Sequence, residues 1–106
     1  MFVILEKETE SVLFLDPDKT RMIVCRNEPA AIKAVDKLRE LTKRELCYAK
    51  LDVKMSSRLW YLESRKGKKY DLEPGIRVAF RTKKSAWGFS GSVFHQTSNI
   101  LRPVPT

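Results

Sequence analysis

The chain has one histidine, two cysteines and four glycines among its 106 residues, and no long apolar run. Each scarcity removes a class of function. With His95 as the sole imidazole, beside only Cys25 and Cys47, there is no Cys/His set with the spacing of a zinc site, and no local signature of a Ser–His or Cys–His nucleophile. Gly75, Gly88 and Gly91 stand in strand-like surroundings, so no glycine-rich phosphate loop joins a strand to a helix. A non-enzymatic protein with no cofactor and no metal is therefore expected. The N-terminal apolar run Phe2-Val3-Ile4-Leu5 is closed at once by Glu6-Lys7-Glu8, too short for a signal segment or a membrane span. It predicts an intracellular protein, cytoplasmic or nucleoid/nuclear, with no membrane partner. Two cysteines in apolar strand-like runs are expected to be buried free thiols rather than a disulfide.

What is abundant is positive charge, and it is unevenly placed. Residues 1–45 hold nine Lys/Arg and nine Asp/Glu, whereas residues 46–106 hold twelve against four, so the net charge of +8 belongs to the second part. A neutral scaffold joined to a basic half suggests a binding face for a polyanion.

The length suits a single domain, residues 1–106, and the pattern predicts an α+β fold. Phe2–Lys7 and Ser11–Asp16 read as a β-hairpin, and Thr20–Arg26 as a third strand after the Asp16-Pro17-Asp18-Lys19 turn. Asn27 is an N-cap for an amphipathic helix, with Glu28 and Pro29 in its first turn. Ala31, Ile32, Ala34, Val35, Leu38 and Leu41 form the helix's apolar side. These elements make residues 1–45 a neutral βββα scaffold. Residues 46–106 read as a basic, β-rich half of about five strands: Leu46–Met55, Arg58–Ser64, Ile76–Arg81, Trp87–His95 and Asn99–Val104. Arg65-Lys66-Gly67-Lys68-Lys69 is expected at a hairpin tip and Lys83-Lys84-Ser85 in a loop. No internal repeat or linker is visible.

Pro74-Gly75-Ile76-Arg77-Val78-Ala79 is similar to the turn-then-strand start of small SH3-like barrels, and Trp87-Gly88-Phe89-Ser90-Gly91-Ser92-Val93 resembles their second strand. Residues 72–104 thus resemble the KOW or Tudor kind of barrel. That resemblance implies a module that binds nucleic acid or protein and rarely does chemistry.

Eight Lys/Arg fall within twenty positions: Arg65, Lys66, Lys68, Lys69, Arg77, Arg81, Lys83 and Lys84, opposed only by Asp71 and Glu73. Arg77 and Arg81 share a strand face, and the flanking loops would extend it into a stripe. Five phosphate contacts there would give a log–log salt slope of about −4 to −5. Lysine-rich tips also discourage edge-to-edge pairing, but the neutral half shows that this chain can make a surface of mixed sign. Single strands additionally need aromatic stacking, for which Tyr61 and Trp87 are the expected exposed residues. The expected partner is nucleic acid, DNA or RNA, held with little sequence specificity; an acidic protein docked on the same face is the alternative. A remote third reading comes from Pro17-Asp18 with Asp52-Val53-Lys54, the letters of a Mg²⁺-dependent nuclease, which require Asp52 and Lys54 side by side on a strand.

Overall fold

A computed structural model describes residues 1–105. The fold is α+β, an antiparallel sheet carrying helices. Chain order is β1 (Phe2–Glu6), β2 (Arg21–Cys25), α1 (Glu28–Thr42), β3 (Leu46–Lys50), α2 (Val53–Ser56), β4 (Trp60–Ser64), β5 (Asp71–Glu73), β6 (Ile76–Phe80), α3 (Lys83–Thr97) and β7 (Leu101–Pro105). The sheet runs β3-β1-β2-β6-β4-β7, with β5 beside β6. Proline lacks the N–H that an inner ladder needs, and Pro103 and Pro105 accordingly lie on β7, at the end of that path.

The sheet contains a repeat that its sequence hides. β2, α1 and β3 recur as β6, α3 and β7 at a constant displacement of 55 positions (76 − 21, 83 − 28, 101 − 46). The preceding strands, β1 and β4, pair with β3 and β7 in the same antiparallel way. Even the caps coincide. Asn27 accepts from the Ala30 N–H and Thr82 from the Ser85 N–H, while Lys43 and Ser98 end the two helices in the left-handed region at φ 58° and 60°. The Thr42 hydroxyl donates to the Leu38 carbonyl, and the Thr97 hydroxyl donates to that of Val93. Along these thirty paired positions (21–50 and 76–105) only Arg26/Arg81, Ala31/Ala86, Thr42/Thr97 and Leu46/Leu101 are identical. What is shared is burial: Ala31 and Ala86, Leu46 and Leu101, and Cys25 and Phe80 are all buried.

Strand alternation gives the sheet two apolar faces. One carries Ile4, Ile23, Cys25, Leu62, Ile76, Val78 and Phe80 against Ala31, Ala34 and Val35 of α1 and Ala86 and Val93 of α3. The other carries Val3, Met22, Val24, Tyr61 and Ala79. It is crossed by residues 51–59, which must pass from β3 to β4, four strand spacings or about 19 Å away. Leu59 anchors that crossing at 2% exposure.

Several expectations give way here. Ser11–Asp16 is not a hairpin strand; it makes single bridges, Leu5 to Val12 and Phe14 to Met22. The strand begun at Leu46 stops at Lys50, because the Asp52 carboxylate accepts the Lys54 N–H and caps a turn of helix. Residues 83–97, expected as a basic loop and a strand, are helix α3. Residues 72–104 therefore run strand, helix, strand in one sheet with the first half, and nothing among the described residues identifies a KOW or Tudor barrel. Ile32 and Leu41, expected on the buried side of α1, are exposed. Cys25 and Cys47 are both free thiols, Cys25 buried and Cys47 half-buried, and burial pushes the Cys25 thiol up to about 11. No helix among the described residues is long and apolar enough to cross a membrane.

Candidate polyanion groove

The repeats divide the charge. Residues 1–50 carry ten basic and nine acidic side chains (10 − 9 = +1), and residues 60–106 carry nine against three (9 − 3 = +6). The remaining +1 lies in the crossing segment, residues 51–59. Both halves make the same fold, so the fold does not require the charge.

Two equivalent places have opposite sign. The turn after β1 is Lys7-Glu8-Thr9-Glu10-Ser11, and the turn after β4 is Arg65-Lys66-Gly67-Lys68-Lys69. Helix α1 opens on Glu28, which suits the positive end of the helix dipole; its counterpart in α3 is Lys83, followed by Lys84. A cation in the first turn of a helix is disfavoured by roughly 0.3–1 kcal/mol.

The space beside the two turns also differs. In the first repeat the turn is fastened to the α1–β3 connection: the Lys7 N–H donates to the Glu45 carbonyl at 3.0 Å, and Arg44 Nη1 lies 2.5 Å from Glu6 Oε1. The second repeat has Asn99 and Ser64 where Arg44 and Glu6 stand, and no ion pair joins them. There a groove of about 880 Å³ opens between the β4–β5 turn, Pro74-Gly75 and residues 98–101. Gly75 permits the close approach: it sits at φ 81°, its carbonyl accepts the Arg26 N–H, and a Cβ on it would lie 3.1 Å from that of Ala30.

No protein-family model, curated protein or solved structure matches the chain.

The groove's acids are already partnered. Asp71 accepts from Arg77 Nε at 2.7 Å, and Glu73 is paired with Lys37, with Lys33 at 4.0 Å. The hydrogen bond from Lys37 outweighs the desolvation of Glu73 and holds its carboxyl below the ordinary value. Lys69 donates to Glu63 at 2.8 Å, a bond that likewise outweighs burial and lowers the Glu63 carboxyl. The side chains of Arg26, Arg65, Lys66 and Lys68 remain exposed without a carboxylate among the described residues. They form the groove's charge. Arg26 was not singled out by the sequence, because it lies forty residues from the basic cluster; its placement at the end of β2, beside the Pro74-Gly75 turn, brings it in.

The predicted site residues thus separate into three groups. Arg65, Lys66 and Lys68 line the groove together, with Lys69 tied to Glu63. Arg81, Lys83 and Lys84 lie at the opposite end of β6, about 16 Å of strand away. Arg81 Nη1 donates to the Lys19 carbonyl at 3.4 Å, and Lys83 lies over the Trp60 ring. Between them the expected basic stripe is missing. Arg77 does share a face with Arg81, but it is spent on Asp71 and lies 5.6 Å over the Tyr61 ring. Tyr61, expected to be exposed for stacking, is 3% exposed and its hydroxyl has no hydrogen-bond partner among the described residues. Its burial follows from pleat direction: Trp60 and Tyr61 point to opposite faces, and both faces are covered. Trp87 is 52% exposed, on α3 rather than on a strand. Asp52 and Lys54 lie in the crossing segment, so they do not share the strand face that the nuclease letters require.

Proposed function

We propose that the protein is a non-enzymatic nucleic-acid-binding protein that holds a phosphate backbone in the groove of the second repeat. One observation carries this reading: at equivalent positions of one duplicated fold, the first repeat is fastened shut and neutral, and the second is open and basic. Arg26, Arg65, Lys66 and Lys68 supply point charges and forks that neutralise phosphates and release their counterions. These cations address the phosphate backbone, which carries no sequence information of its own, so little sequence preference is expected.

The test is a competition among single- and double-stranded DNA and RNA at two salt concentrations, repeated with Arg26→Ala. Binding should weaken steeply with salt for every form that binds, and Arg26→Ala should weaken it further. Binding that ignores salt, or a protein partner retained after nuclease treatment with no affinity for any nucleic acid, overturns the reading.

A further inference from the structure

The outer face of α3 leads from one basic end of the molecule to the other. Lys84, Trp87, Gly91, Phe94 and Ser98 recur at helical spacing and so form one stripe. Trp87 is 52% and Phe94 46% exposed. Their Cα atoms are separated by about 10 Å of helix. Gly91 lies between them, with nothing within 4 Å of where its Cβ would stand, so the fold itself gives no reason for glycine there. At its end the helix passes into Ser98, Asn99 and Ile100, which are a wall of the groove.

The corresponding stripe on α1 is Pro29, Ile32, Asp36, Arg39 and Lys43. It has no aromatic, and a carboxylate stands where α3 has the open glycine. Two exposed rings, separated by an open glycine, with Lys84 at one end and Lys66 and Lys68 at the other, none of them with a carboxylate partner among the described residues, suit a polyanion whose flat bases are accessible. A duplex hides those faces within its stack.

Building on the groove reading, we infer that the ligand is a single strand, whose backbone lies in the basic groove and whose bases continue along α3 to stack on Phe94 and Trp87. Lys83 and Lys84 meet the phosphates at the far end. The aromatic stripe supplies affinity for single strands alone, while the groove supplies affinity for any phosphate backbone.

The test uses fluorescein-labelled oligothymidylate of about 20 nucleotides and a DNA duplex of the same length, with affinity read by anisotropy. The wild type should bind the single strand more tightly. Trp87→Ala and Phe94→Ala should each weaken single-strand binding by roughly 5- to 100-fold and leave duplex binding unchanged, with Trp87→Phe retaining most of the affinity. Lys66→Glu/Lys68→Glu should weaken both ligands. If single-strand affinity survives both aromatic substitutions while the groove variant still loses it, the stacking track is overturned and the groove stands. If the wild type binds neither ligand, both readings fall together.

Discussion

Ile23 on β2 is the cross-strand partner of Val78 on β6, and the two residues occupy the same position in their repeats. A pseudo-two-fold axis therefore passes through that pair, and Met22 opposite Ala79 and Val24 opposite Arg77 follow as its mirror steps. The junction between repeats is a full five-residue ladder with apolar side chains buried on both faces, which makes the two halves one sheet. Through the same axis, each feature of the second repeat has a counterpart against which its charge and its openness can be compared.

Two glycines should respond oppositely to alanine. Gly75→Ala is expected to cost about 1–2 kcal/mol, because an L residue is strained at φ 81° and its methyl meets Ala30. Gly91→Ala should raise stability by about 1 kcal/mol, since an exposed helical position gains propensity and nothing obstructs the methyl. Urea unfolding of the two variants gives both numbers; a loss at Gly91 would contradict the helical placement of residues 83–97.

Arg77 should matter mainly for stability. Arg77→Ala strands Asp71, which is partly buried, and is expected to cost about 1–3 kcal/mol, while the carboxylate left unpaired in the groove weakens nucleic-acid affinity less than loss of a phosphate-binding cation does. Tyr61→Phe removes a buried hydroxyl that has no partner among the described residues, and should be neutral or stabilising by about 1 kcal/mol. Burial pushes the Tyr61 hydroxyl above its ordinary pKa despite Arg77, so the ring stays neutral through the physiological range. Thermal melts paired with anisotropy titrations separate the two effects.

Asp16 gives the fold an acid limit. Burial works to raise its pKa, but bonds from the Thr20 hydroxyl and from the Arg21 and Thr20 amides outweigh it and hold the carboxyl below its ordinary value. A carboxylate lowered in the folded state contributes stability that is fully present above its unfolded pKa, about 3.9, and is lost as pH falls through the folded value. Melts of wild type and Asp16→Ala should therefore differ by a constant amount from pH 7 to about 5 and converge below about pH 4. A difference that grew toward acid would have the wrong sign.

Much of the first repeat was legible because local signals agreed there: Asn27, Glu28 and Pro29 announce a helix, and Ala31, Ala34 and Val35 bury it. Helix α3 was not, because Trp87, Phe89, Val93 and Phe94 favour strands and Gly88 and Gly91 break helices. Its helical form rests on the Thr82 and Ser98 caps and on the small inward residues Ala86 and Ser90, whose fit appears only against the sheet. The duplication is hidden in the sequence for a related reason, since packing constrains size and polarity at each position more than identity. The segregation of charge is legible in the sequence, but not which cations are committed. Lys69 and Arg77 meet their carboxylates through strand pairing that no spacing rule reveals.

The central claim concerns where the charge acts, and two double reversals with the same change in net charge test it. Lys66→Glu/Lys68→Glu alters the groove, and Lys7→Glu/Lys50→Glu alters the first repeat. In each, binding of a labelled duplex, which engages the groove alone, is followed across salt concentrations. With four phosphate contacts, the wild-type log–log slope should be about −3 to −4. The groove reversal should weaken binding steeply and bring the slope about 2 closer to zero, while the first-repeat reversal leaves the slope unchanged. Equal losses from the two pairs would contradict the account, because binding would then follow net charge and not the open groove.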